Sequence, residues 1–61
     1  NYMSNEDQRV RFINTTMSMV NDLSDTLYEA LMDEDIASVV ETATKLDYVI
    51  KDLIQTFSDE I

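Results

Sequence analysis

The side chains able to do chemistry in this chain are few in kind. There is neither His nor Cys, which removes the commonest general base, the commonest metal ligand, the thiolate nucleophile and any disulfide. What remains is carboxylate, 13 Asp and Glu in all, with Tyr, Lys, Ser and Thr. The acids cluster twice: Asp22, Asp25 and Glu29 recur at helical spacing, and Asp33, Glu34 and Asp35 are consecutive. Two carboxylates become an acid–base pair only where a pocket drives their proton affinities apart. The first set falls on an outward helix face, where charge is solvated. The second sits where two helices must turn. A calcium loop needs a Gly and ligands spread over a dozen residues, and the chain has no Gly. A carboxylate di-metal bundle needs Glu-x-x-His turned inward, and the inward positions here are aliphatic. No enzymatic activity, cofactor or metal is therefore expected. The six acids are read instead as candidates for contact with a partner protein.

The elements that carry these acids follow from the apolar pattern. Two long amphipathic stretches break only at Leu31-Met32-Asp33-Glu34-Asp35-Ile36, which reads as the tight turn of a helix hairpin. Asp33 or Asp35 suits the N-cap of the second helix, and the remaining acids then lie near its positive end. No Gly is present to end the first helix in a left-handed residue, so the geometry of that exit is open. Upstream, Ser4 with Asp7, or Asn5 with Gln8, stands close to capping-box spacing. The expected elements are a first helix over about 5–31, a turn over about 32–35 and a second helix over about 35–59, in one all-α domain spanning 1–61.

In the first helix the apolar residues keep a seven-residue period. The a column holds Val10, Met17, Ser24 and Leu31, and the d column Ile13, Val20 and Leu27. Leu23 and Ala30 widen the stripe on the g side. Phe12 and Met19 fall outside it, near Leu23, and suggest a second contact surface. In the second helix a holds Ile36, Ala43, Ile50 and Phe57, and d holds Val39, Leu46 and Leu53. Val40, Ile54 and Ile61 widen that face on the e side. Helix propensity is only fair in this segment, given Val39, Val40, Thr42, Thr44 and Val49, so packing must hold it. Setting a against d about the turn gives layers Leu31–Val39, Leu27–Ala43, Ser24–Leu46, Val20–Ile50, Met17–Leu53 and Ile13–Phe57. Two adjacent layers then pair a large residue with a small one, which lets side chains interdigitate. The same fold brings Arg9 and Arg11 near Asp59 and Glu60, and gives Lys45 and Lys51 acids nearby (Glu41, Asp47, Asp52). Tyr28 and Tyr48 flank the seam, with the hydroxyl in water.

A chain of 61 residues that is 44% hydrophobic is too apolar to be disordered and too short to bury much of itself alone. A two-helix hairpin has no inside: one neighbour covers only part of each broad face. The expectation is a two-fold homodimer, two hairpins face to face in a four-helix bundle. Its core and dimer interface together would be drawn from Ile13, Met17, Val20, Leu23, Leu27, Leu31, Ile36, Val39, Ala43, Leu46, Ile50, Leu53, Ile54 and Phe57. The formal charge of −9 repels nucleic-acid phosphates and anionic membrane surfaces alike. No apolar run reaches the length of a membrane span and no signal peptide is visible, so a soluble cytoplasmic protein is expected. Met3 suits a natural initiator, with Asn1 and Tyr2 added ahead of it.

The chain length, the small–large layers and the acidic turn at Asp33–Asp35 resemble the Rop-type plasmid regulators. That likeness implies a dimeric hairpin bundle and an RNA-binding face. Such a face needs positive charge, for which this chain has Arg9, Arg11, Lys45 and Lys51, with acids around them. A second likeness rests on Ala43-Thr44-Lys45-Leu46-Asp47-Tyr48-Val49-Ile50, which is similar to the second-helix signature of the small aspartyl-phosphate phosphatases of sporulating bacteria. Leu46, Asp47 and Ile50 match it, while Ala43 and Thr44 stand where that signature has Ser and Gln. The function expected from the residues is a small acidic homodimeric module that binds another protein, as an adaptor, inhibitor or regulator of the kind common among phage and plasmid accessory proteins. The alternatives are direct RNA or DNA regulation in the Rop manner and a structural assembly component.

Overall fold

A computed structural model describes residues 5–59. Helix α1 spans Asn5–Met32 and helix α2 spans Ile36–Ser58, and the two pack against each other as a hairpin. The fold is all-α, 46 Å along its longest axis and 13 Å along its shortest. At 1.5 Å per residue, 28 residues of α1 account for that long axis. Ser4, Glu60 and Ile61 lie outside the described residues, and with them the Ser4 cap, the pairing of Glu60 with Arg9 or Arg11 and the place of Ile61 on the e side. Among the described residues, neither helix is long and apolar enough to cross a membrane.

The turn solves the missing-glycine problem with a glutamate. Glu34 takes φ 55°, in the left-handed region. Its amide donates to the Leu31 carbonyl at 3.2 Å, and the Asp35 amide donates to the Ala30 carbonyl at 2.9 Å. These are the two bonds of a Schellman motif, which satisfies carbonyls left without partners at the end of α1. Asp35 then caps α2. Its Oδ1 accepts from the Ser38 amide at 3.2 Å, its Oδ2 accepts from the Ser38 hydroxyl at 2.8 Å, and its carbonyl takes the first helical bond from Val39 at 2.9 Å. Between the two carboxylates considered for the cap, geometry selects Asp35, because Asp33 is still bonded back to Glu29 in the last turn of α1.

Burial shows which columns meet. On α1, Thr16 and Ala30 are buried and Val20, Leu23 and Leu27 half-buried. On α2, Thr42 is buried and Val39, Leu46, Val49 and Leu53 half-buried. Each set steps alternately by three and four residues, the d and g columns of the heptad on both helices. The a column lies outside: Met17, Leu31, Ile36, Ala43, Ile50 and Phe57 are exposed, as is Ile13 near the open end. The layers of a against d are therefore not formed; the d and g columns face each other instead, with Leu23 and Val49 lining one hollow and Thr16 and Leu53 another. The physical reason is size. Thr16, Ala30 and Thr42 on g let the backbones approach, whereas Met17, Leu31, Ile36 and Ile50 on a would hold them apart. Large still meets small in the new register, at Ala30, Thr42 and Thr16. Among the described residues, no buried side-chain polar atom lacks a hydrogen-bond partner.

Candidate functional site

An antiparallel pair has an approximate two-fold axis perpendicular to its plane, so like columns of the two helices fall on the same side of the hairpin. With d and g turned inward, columns a and e form one face and columns c and f the other. The two faces differ in chemistry.

The first face gathers Met17, Tyr28 and Leu31 from α1 with Ile36, Val40, Ala43, Ile50 and Ile54 from α2, all exposed. Ile36 is 76% exposed and Ile54 61%. From Val10 onward its columns hold a single ionic group, Asp47, which Lys51 meets at 2.9 Å. Ser24 and Ala43 supply small residues near its middle.

The second face carries a groove. One part, about 390 Å³, is lined by Met19, Asp22, Leu23, Lys45, Tyr48 and Val49. Another, about 280 Å³, shares Met19, Tyr48 and Val49 and continues past Phe12, Thr16 and Leu53 to Asp52. Phe12 and Met19, which the period sets apart from the main stripe, thus stand together over the inner columns. Toward the open end Phe12 meets Phe57, ring centres 6.4 Å apart and planes tilted by 53°. Lys45 reaches Glu41 at 3.9 Å, one helical turn back. Both ion pairs are exposed, so each contributes about 0–1 kcal/mol at most.

Of the six candidate partner-binding acids, all are exposed. Asp22 borders the groove, Asp25 and Glu29 continue along the outside of α1, and Asp33, Glu34 and Asp35 sit at the turn. The two hydrogen bonds from Ser38, side chain first and then backbone, hold the Asp35 carboxyl below its ordinary range. Asp35 is thereby engaged in the cap and less available to a partner than its exposure suggests. Among the described residues there is no group of three or more His, Cys, Asp or Glu that could hold a metal. The d-column residues Val20, Leu27, Val39, Leu46 and Leu53, with Leu23 on g, lie between the helices of one chain, whereas Ile13, Met17, Leu31, Ile36, Ala43, Ile50, Ile54 and Phe57 are on its surface. Thr16, Thr42 and Val49 belong to the seam and were not among the residues the apolar period selects. The signal was present in the g column, where Leu23 and Ala30 follow Thr16, and Val49 follows Thr42, at heptad spacing, but threonine reads as polar.

No known protein family, curated protein or solved structure matches this chain.

Proposed function

We propose that this chain is a small acidic homodimer that acts by binding another protein, and that it pairs through the a/e face to make a four-helix bundle. One observation carries the reading. Ala30 is the only buried apolar residue among those described, while fourteen large apolar side chains stay at least 38% exposed. A single hairpin therefore forfeits most of its hydrophobic stabilisation, at about 25 cal/mol per Å². At their exposures, Met17, Tyr28, Leu31, Ile36, Val40, Ile50 and Ile54 leave roughly 700 Å² of surface per copy, or about 1,400 Å² for a pair, the size of an ordinary stable interface. The low charge of that face supports self-association, because two copies at −9 each bring only Asp47 to it, and Lys51 of the same chain already meets that carboxylate. The acidic outer surface supports a protein partner over nucleic acid.

Sedimentation equilibrium at micromolar concentration tests the reading. The intact chain should run at twice its formula mass, and Ile50→Glu, which places charge in the middle of the face, should run as a monomer. A well-ordered monomer of the intact chain would refute the homodimer. Gel retardation of RNA at low salt would favour the nucleic-acid alternative.

A further inference from the structure

We infer that the groove on the c/f face is the docking site for a basic amphipathic helix of a partner protein. The inference rests on the proposed dimer only in that the opposite face is taken by the second copy. Three features on the groove point to this occupant. Its walls are apolar, made by Met19, Leu23, Tyr48 and Val49 with Phe12 beyond. Its borders carry Asp22 and Asp52, and Glu29 follows on the same columns, while Lys45 is met by Glu41. From Phe12 to Leu23 it runs eleven residues of α1, about 16 Å, which is three helical turns. A ligand helix of three to four turns would place apolar anchors at i, i+4, i+7 and i+11 on these walls and its Lys or Arg side chains over the carboxylates.

A second copy is the poorer occupant. It brings a charge of −9 and four bases in 61 residues, and Lys45 and Lys51 already face acids of their own chain. Its large apolar face has no cation to set against Asp22 and Asp52. Charge complementarity thus sorts the two surfaces: apolar to apolar for the copy, anionic to cationic for the partner.

The test uses the full chain and three labelled synthetic peptides of fifteen residues, followed by fluorescence anisotropy. One carries Leu at i, i+4, i+7 and i+11 with Lys elsewhere on its flanks. The second is its scrambled isomer, with Leu spread around the helix. The third replaces Lys by Glu. The first should bind at least roughly tenfold tighter than the scrambled isomer, and the Glu peptide should not bind up to ~0.5 mM. Met19→Asp should weaken the first peptide roughly tenfold or more, and so should Asp22→Lys with Asp52→Lys. Both variants should sediment with the same mass as the intact chain. Equal binding of the scrambled isomer, no binding of the Lys peptide up to ~0.5 mM, or undiminished binding by Met19→Asp overturns the inference. So does dissociation of a dimer by Met19→Asp, which would make the groove the interface between copies. A monomeric chain that still binds the Lys peptide through Met19 refutes the homodimer and leaves the groove assignment standing.

Discussion

The left-handed glutamate at the turn is the most sharply testable feature of the fold. Glu34 at φ 55° bears a Cβ that crowds the following carbonyl, at about 1–2 kcal/mol for a residue other than Gly. Glu34→Gly removes that crowding but adds unfolded-state freedom worth about 0.5–1 kcal/mol. The net expectation is a gain of about 0.5–1 kcal/mol per hairpin, which for a chain of this size raises Tm by about 3–6 °C. Urea unfolding followed by circular dichroism reads it, at one fixed protomer concentration because association is coupled to folding. Glu34→Gln, with the same backbone requirement and one charge fewer, separates strain from relief of acidic repulsion. Asp33→Gly provides the opposite control. Asp33 keeps a negative φ and still donates into the last turn of α1, so glycine there should lower the midpoint. If Glu34→Gly lowers the midpoint, or matches Glu34→Gln, the helices do not part at Glu34, and the Schellman exit is wrong.

Three further outcomes follow from the packing and the charges. Ala30→Leu inserts bulk at a buried position of the seam and should destabilise by about 1–3 kcal/mol, whereas Ala37→Leu on the exposed side of α2 should be nearly neutral; equal effects in urea unfolding would remove Ala30 from the seam. The Asp35 carboxyl is held below its ordinary value of 3.8, so the unfolded chain takes up its proton first. The cap should contribute fully above pH 4 or so and fade as pH falls through the depressed value; the stability difference between the intact chain and Asp35→Ala, measured across acid pH, should shrink accordingly, and a difference that grows there would refute the cap. Salt should act in opposite directions on the two surfaces: from ~20 to ~300 mM the copies should associate more tightly as like charge is screened, while the Lys peptide should bind more weakly, and a common direction in sedimentation and anisotropy would refute the division of the faces.

Much of the fold is legible in residue types alone. The absence of Gly and Pro, the unbroken heptads and the three acids between Met32 and Ile36 determine two helices and a turn, because helix period and capping are local and need no knowledge of the partner helix. The expected first helix over 5–31 becomes Asn5–Met32, and the expected second over 35–59 becomes Ile36–Ser58 with Asp35 as its cap. The chemistry is equally local: with no His or Cys, the 13 carboxylates are the most numerous reactive groups left, and the clustered ones lie outward.

By itself, then, the sequence determined two amphipathic helices, their hinge and the sign of the surface, since these depend on periodicity, caps and net charge. Only the tertiary structure decided the seam. Three apolar columns on each helix allow more than one rotation about its own axis, and the period cannot choose among them. Close approach chooses: Thr16, Ala30 and Thr42 let the backbones come together, so d and g turn inward and the bulkier a column turns out. That rotation of one column leaves a face with a single carboxylate, Asp47, on one side of the hairpin and an acid-bordered groove on the other.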